Sequence, residues 1–389
     1  MGIGGWELGV GSLHLSVPSD LHQLIVSEIR KRGPLTAAAY MELALYHPQH
    51  GYYSSRCRRS GRRGDFYTSV DVGPLFGDLL AVQLAELWRT LRDAGAREFQ
   101  LVECGAGDGR LARDVLDAAQ RAHPELYEAL HVFLCERSAA AIDAQPSTLA
   151  RHATRVTTGC ANLPGHVTGA IVANELLDAL PVHRVRKRDG TLCELHVAET
   201  DGRLHEIPLP PSTARLDEYL TALGVGLPDG IVAEIGCAAV DWVAGAAAAL
   251  NSGVMLLFDY GAHAAHLFSP LHASGTLMSY RGHAANAELW LAAPGERDIT
   301  SHVNLTAIDR AAERAGLQKH GTIDQTYFMI NLGIADMLDT ASHVPAVRRR
   351  LAARTLIMPG GLGSAIKTLA YSKNLPAGQL RGFSSGRMA

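Results

Sequence analysis

The sequence predicts an α/β protein built on a doubly wound, largely parallel sheet, and three observations carry that prediction. Phe99-Gln-Leu-Val-Glu-Cys104 is a short apolar run that enters a glycine turn, Gly105-Ala-Gly107-Asp-Gly109, and then a helical stretch. From there to residue 178, strand-like and helix-like runs alternate at 99–104, 109–121, 131–136, 138–144, 154–157 and 170–173. A later run, Val254-Met-Leu-Leu-Phe258, has the all-apolar make-up of a buried strand returning to the same sheet.

Residues 18–98 precede the glycine strand and read mostly as helix. Asp20 caps a helix through Arg30 and Lys31, and a second helix starts near Thr36. A third spans 74–91, with Leu75, Leu79, Val82, Leu87 and Leu91 at helical spacing. The loop between the second and third contains His47-Pro-Gln-His-Gly-Tyr-Tyr53 and then five arginines within 56–63. No aromatic residue alternates with those arginines, so they read as a solvated loop rather than a nucleic-acid surface. After residue 178 the alternation breaks. Runs at 182–188, 191–197 and 203–207 are joined at Asp189-Gly190 and Asp201-Gly202, the strongest short hairpin signal. A small helix near 212–223 and an Ala-rich helix over 237–250 follow, and the buried strand then ends in Asp259-Tyr260-Gly261. Residues 262–300 are irregular and polar, a loop length that in a compact protein is usually functional. A helix near 304–315 and a closing pair of strands near 319–324 and 365–372 complete the pattern. The expected organisation is an N-terminal helical extension over 18–98, a ligand-binding core over 99–178 and 251–375, and an inserted cap over 179–250. Residues 1–17 are left out of this division.

Composition excludes several classes. Of 389 residues, 47% are hydrophobic, enough for a substantial core, and the net charge of -3 makes no general case for binding nucleic acid. No apolar run approaches the ~18 residues of a membrane span, and no secretory signal is visible, so a cytoplasmic protein is expected. The six cysteines are scattered without a C-x-x-C pair and read as small core residues of a reducing compartment. The 18 histidines contain no H-x-x-x-H pattern, so no metal site is expected, and no G-x-S-x-G elbow argues for a hydrolase.

The glycine turn points to a ligand. In a nicotinamide fingerprint the third glycine would stand at position 110, where this chain has Arg110. Glu103 followed by glycines at 105, 107 and 109 is instead the E-x-G-x-G-x-G spacing of S-adenosylmethionine (SAM) sites, where glycine lets the backbone approach a ligand without a pyrophosphate. Glu136, at the tip of the next apolar run, can accept bonds from both ribose hydroxyls, a device shared by both ligand classes. The fourth run delivers Asn174-Glu175-Leu-Leu-Asp178-Ala-Leu-Pro181 to the same edge of the sheet. Asn174 there reads as a helix N-cap, with Glu175 and Asp178 on the first turn and on one face. Two such acids suit a bidentate grip on a guanidinium, and equally suit a structural cap. Asp259 ends a later strand at the matching edge, either completing that pocket or closing a turn. Asp298-Ile-Thr300 resembles a simple helix start.

Taken together, Gly64-Asp-Phe-Tyr-Thr-Ser69, Gly73-Pro-Leu-Phe-Gly77, Val102-Glu-Cys-Gly-Ala-Gly-Asp-Gly109, Asn174-Glu-Leu-Leu-Asp-Ala-Leu-Pro181, Asp259-Tyr-Gly261, Gly275-Thr-Leu-Met-Ser-Tyr-Arg281 and Pro294-Gly-Glu-Arg-Asp-Ile-Thr300 resemble the MidA-type SAM-dependent methyltransferases. The mitochondrial relatives of that family are arginine methyltransferases that assist respiratory complex I assembly. The resemblance runs in order from about Leu35 to Leu369. It implies a class I methyltransferase fold (a Rossmann-like doubly wound sheet) with an N-terminal helical extension and an inserted β-meander and helical cap. It further implies SAM bound by Glu103, Gly105, Gly107, Gly109, Glu136, Tyr67 and Thr68, and catalysis by Asn174, Glu175, Asp178 and Asp259 on an arginine of a protein substrate. Two departures stand out: Leu176-Leu177 where the family commonly has Phe, and Met358-Pro-Gly-Gly-Leu-Gly-Ser in place of a Pro-x-x-Met-Gly segment. A client-binding assembly factor without catalysis, and a methyltransferase of small molecules or nucleic acid, are the alternatives the sequence leaves open.

Overall fold

The computed structural model describes residues 19–54, 65, 68–160, 162–338, 343–358, 362–376 and 380–384. The arginine run 56–63, Cys57 and Tyr67 lie outside the described residues.

Among the described residues the central sheet has eight strands, of which the short Val303–Asn304 pairs beside Gly261 and Ala262, and seven form one continuous path: β1 (Phe99–Cys104), β2 (Leu130–Cys135), β3 (Val156–Cys160), β4 (Val167–Asn174), β5 (Leu250–Ala262), β6 (Gln318–Asp324) and β7 (Ile366–Lys373). They lie in the order β6-β7-β5-β4-β1-β2-β3. All run parallel except β7, which is antiparallel to both neighbours. Chain order reverses between β1 and β4, and ligands of open α/β sheets sit outside the strand ends at such a point. The expected alternation and the closing strand pair are therefore as read. Two helices inside the closing connection, Gln325–Asn331 and Val344–Ile357, have no counterpart in the sequence reading.

The insert is a separate antiparallel sheet of His183–Arg188, Thr191–Thr200, Arg203–Leu209 and Val232–Ile235. Its hairpins close where expected, because Asp189, Gly190, Asp201 and Gly202 all take the positive φ of a primed turn. Helices Asp20–Arg32 and Ala37–Tyr46 join this sheet rather than the central one. Leu35 and Thr36 pair with Val197 and His196, and Leu21, Ile25, Tyr40 and Met41 share one core with Val182, Val197, Trp290 and Ile299. The cap of the first helix is Ser19, whose hydroxyl accepts from the His22 amide; Asp20 is the first helical residue. Helix Leu75–Asp93 packs elsewhere, with Arg110–Ala122 in the core beneath the central sheet. Residues 276–302 then bridge the two units. They include strand Asp298–Thr300, paired antiparallel with Met278–Arg281, so Asp298 starts a strand and not a helix.

Close approach of β1, β4 and β5 depends on glycine at one point. Gly169 (φ +141) faces Gly253 (φ +133) in register, and a Cβ on Gly169 would run into the Gln100 carbonyl oxygen. Gly169→Ala is expected to destabilise the fold by about 2–3 kcal/mol through backbone strain and overpacking. Thermal unfolding followed by circular dichroism checks this, and an unchanged melting temperature would show that the strands can separate without cost.

Candidate active site

The glycine turn is built by local sterics. Gly105, Gly107 and Gly109 have φ of +68, +53 and +81, where a Cβ is strained. Their surroundings differ. Gly109 must lack a Cβ because Leu149 Cδ1 stands 2.9 Å from where it would be, so this glycine brings helix Arg110–Ala122 against the sheet. Gly105 makes room for Leu176, one of the two residues that depart from the family pattern, at 3.0 Å. A Cβ on Gly107 would meet nothing within 4 Å, which leaves its backbone facing open space.

Glu136 lies at the end of β2 as expected, but its carboxylate already holds the turn. Oε2 accepts from the Gly107 amide at 2.8 Å, and Oε1 accepts from the Arg137 and Ser138 amides at 2.7 and 2.8 Å. A carboxylate has about four acceptor positions, so these three bonds leave room for a hydroxyl. Gln145, fully buried, donates to the Gly107 carbonyl at 2.9 Å and accepts from the Gly159 amide at 3.3 Å. The sequence reading missed this residue, because its partners lie on separate loops.

The turn after β4 is not a helix. Asn174 ends the strand, Glu175 takes a left-handed φ of +52, and only a single 3-10 turn, Leu177–Ala179, follows. Asn174 is therefore no helix cap; its Nδ2 donates to Glu175 Oε1 at 3.2 Å. Asp259, buried at the matching end of β5, shapes this turn. Its Oδ2 accepts from the Leu176 and Leu177 amides at 3.2 and 2.7 Å, and its Oδ1 from the Tyr260 amide at 2.9 Å. The Glu175 amide donates to the Phe258 carbonyl at 2.7 Å. Asp259 thus faces backbone, while Glu175 and Asp178 face a common cavity.

A third segment closes over both turns. Thr68 donates to Asp71 Oδ2 from its amide and its hydroxyl, each at 3.0 Å, and the Ser69 amide donates to Glu175 Oε1 at 3.3 Å. Arg110 ties this segment to the glycine turn, pairing with Asp71 at 2.7 Å and Asp108 at 3.0 Å. The residue that breaks the nicotinamide fingerprint is thus an ion-pair bridge.

The cavity holds about 460 Å³. Among the described residues, four carboxyl groups line it, those of Asp65, Glu175, Asp178 and Asp298, together with Tyr53, Tyr260 and Tyr280, and no lysine or arginine does. Tyr53 donates to Asp298 Oδ1 at 2.7 Å, and Asp65 accepts from the Tyr52 hydroxyl at 2.8 Å and the Gly282 amide at 2.7 Å. The acids crowd one another. Burial pushes Glu175 up to about 8, and burial, then the neighbouring Asp259, Glu175 and Asp298, pushes Asp178 well above the carboxylate range. Burial likewise lifts Asp259 to about 7 and Glu103 to about 8. Buried acids crowded in this way are relieved by an opposing positive charge, and their raised proton affinity marks the cavity as a candidate functional site. Among the described residues, no group of three or more His, Cys, Asp or Glu could hold a metal ion.

Residues 79–323 match the model of a family of S-adenosyl-L-methionine-dependent methyltransferases. The chain belongs to that family. It is similar to a COG1565-superfamily protein from Burkholderia thailandensis, solved with S-adenosyl-homocysteine, at 30% identity over 96% of this chain and 98% of that one, with a TM-score of 0.85. It is also similar to the mitochondrial protein arginine methyltransferase NDUFAF7 of Homo sapiens (27% identity, 84% of this chain, 77% of that protein) and its Drosophila melanogaster homologue (26%, 93% and 86%).

SAM is the cofactor of this methyltransferase, and the residues at the glycine turn fit it. Glu103 Oε2 and Asn174 Oδ1 are buried without a partner among the described residues, as acceptors for an ammonium or beside a sulfonium would be. With Gly105, Gly107, Gly109, Thr68 and Glu136 they gather where β1, β2 and β4 end. The sequence assigns no site role to Asp65 or the three cavity tyrosines and reads Asp298 only as a helix start, although Asp65, Asp298, Tyr260 and Tyr280 all stand inside the quoted motifs.

Protonation of these acids has a thermodynamic sign. Folded Glu175 keeps its proton up to about 8, whereas an ordinary glutamate loses it near 4.5. Between those values the folded chain binds more protons than the unfolded one, so stability falls as pH rises from about 4.5 to about 8. The ligand-free protein should melt progressively lower across that window, and Glu175→Gln should flatten the slope. Scanning calorimetry over a pH series checks this; an unchanged slope in the variant would mean the Glu175 carboxyl is ionised when buried.

Proposed function

We propose that this methyltransferase acts on the guanidine group of an arginine side chain in a protein substrate. The observation that carries the reading is the cavity itself: among the described residues it gathers four carboxyl groups and three tyrosines, on the turn that packs against the glycine turn. A guanidinium is planar and cationic, with five N–H donors, and paired carboxylates and aromatic faces are its natural surroundings. Exposed His283 and His302 stand in the cavity wall, so the cavity reaches solvent and admits a side chain carried by a larger molecule. The names of the curated relatives agree with an arginine substrate.

SAM supplies an electrophilic methyl group on a sulfonium. The protein's part is to bring a guanidine nitrogen into line with it, and most of the rate gain comes from that positioning. Glu175 and Asp178 grip the guanidinium from one side and Asp298, held by Tyr53, from another. When the guanidinium enters, its charge draws both buried acids into their ionised form. As the new carbon–nitrogen bond forms, the nitrogen must shed a proton. Glu175 or Asp178, whose proton affinity is raised by burial, accepts it, and the products leave as a neutral thioether and a methylated guanidinium that keeps its single positive charge.

Two measurements test this. Isotopically labelled SAM incubated with lysate of a deletion strain should place label in protein methylarginine; label confined to a metabolite or a nucleic acid would contradict the reading. Asp178→Asn keeps the shape and removes the charge, and is expected to lower the transfer rate by roughly 30- to 1,000-fold, or about 2–4 kcal/mol, while SAM affinity and melting temperature stay close to those of the parent. A lower melting temperature with an unchanged rate would reduce Asp178 to a structural cap.

A further inference from the structure

Cys104, Cys135 and Cys160 are far apart in sequence but stand side by side across β1, β2 and β3, at the edge where the glycine turn begins. Cys104 faces Cys135 in register, and Cys135 faces Cys160. The second pairing exists because of a bulge. Phe133 faces Thr157, and two steps along β2 then match three along β3, the extra residue being accommodated at Gly159 with φ +66. Without that bulge Gly159 would stand opposite Cys135. The Cys135 thiol donates to the Asn162 carbonyl at 3.7 Å and the Cys160 thiol to the Thr157 carbonyl at 3.9 Å. The neighbouring thiols, Cys104 first, hold Cys135 below the usual thiol range, while Cys135 and burial push Cys104 well above it. Cys104 is buried, whereas Cys135 and Cys160 are half-buried, and all three are free thiols.

A partly exposed thiol of lowered proton affinity beside a second thiol is the arrangement of an oxidant-responsive pair. Here the pair is wired to the cofactor turn. The Cys135 carbonyl accepts from the Gly105 and Ala106 amides at 2.9 and 3.2 Å, and the next residue, Glu136, holds the Gly107 amide. Neighbouring strands lie about 4.8 Å apart, whereas a disulfide prefers its two Cα atoms about 5.5–6 Å apart. A bridge between the directly paired Cys135 and Cys160 therefore strains the end of β2 against β3 and shifts the glycine turn that this strand end supports.

We propose that Cys135 and Cys160 form an oxidation site for hydroperoxides, and that their disulfide weakens SAM binding. The Cys135 thiolate attacks hydrogen peroxide: an S–O bond forms, the O–O bond breaks, and the departing hydroxide takes up a proton to leave as water. The Cys160 thiol then attacks the sulfenic sulfur, forming the S–S bond and releasing a second water. The two thiols lose two electrons and the peroxide gains them. The effect on binding rests on the glycine turn being the cofactor site.

The test compares full-length protein kept in dithiothreitol with protein treated with hydrogen peroxide. Mass spectrometry of proteolytic peptides is expected to show Cys135 linked to Cys160, and calorimetry is expected to show SAM bound about tenfold more weakly, recovering on reduction. Cys160→Ser should match the parent in reduced-state affinity and melting temperature, form no bridge at residue 160, and yield a Cys135 sulfenic acid that dimedone captures. No bridge, a bridge to Cys104 instead, or a Cys135–Cys160 bridge that leaves affinity unchanged overturns the proposal. Peptide mapping does not depend on binding, so reduced protein that fails to bind SAM would instead overturn the cofactor assignment, and with it the regulatory half.

Discussion

One buried carboxylate sets the geometry on which the site depends. Asp259 receives three backbone amides from the chain around it, two of them from the turn that follows β4. Bonds of this charge-assisted kind are worth about 1.5–3 kcal/mol each. That outweighs the roughly 1–2 kcal/mol spent on the left-handed backbone at Glu175. The chain can therefore turn sharply at the end of β4 instead of continuing as a helix, and the sharp turn is what aims Glu175 and Asp178 into one cavity. The same turn drops Leu176 onto Gly105, so the acidic turn and the glycine turn are packed together.

Around that centre the rest of the chain supplies walls. The central sheet delivers Glu103, Asn174 and Asp259 at the ends of β1, β4 and β5. The N-terminal helices and the inserted sheet share a core with residues 276–302, and Tyr40 meets Trp290 edge-on at 5.2 Å within it. That core carries Tyr53 and Asp298 to the far side of the cavity. Arg110 joins the covering segment to the glycine turn through Asp71 and Asp108, and Asp71 in turn orders the Thr68–Ser69 backbone against Glu175. Glycine turn, covering segment and Glu175 thus form one connected polar network. Removing a single member leaves buried partners unsatisfied, which is the costly case.

What was legible in the sequence was what local sterics dictate. Three glycines at alternate positions demand left-handed backbone wherever they stand, and the two Asp-Gly steps close hairpins without help from elsewhere. The parallel sheet followed from apolar runs of the right length, and its closing antiparallel pair from two more. Misreadings arose where a distant residue decides. Asn174 followed by acids at 175 and 178 is a sound helix start in isolation; it fails because Asp259 takes the amide of Leu176, 83 residues before it. Asp298 reads as a cap until Tyr53, 245 residues earlier, is placed against it in a strand. Six scattered cysteines gave no pattern, since only the sheet register puts three in a row. Function was more legible than fold detail, because the acids and glycines of the site lie in short contiguous motifs.

The central claim is that the cavity recognises the positive charge and N–H array of a guanidinium. It is tested most directly by calorimetric titration of the protein, saturated with S-adenosyl-homocysteine, with an arginine-bearing substrate peptide and with the same peptide carrying citrulline, which is neutral and nearly isosteric. The arginine peptide should bind, with the citrulline peptide at least tenfold weaker, the loss of at least about 1.4 kcal/mol expected when buried acids are left without their cation. Equal binding of the two peptides would contradict the account.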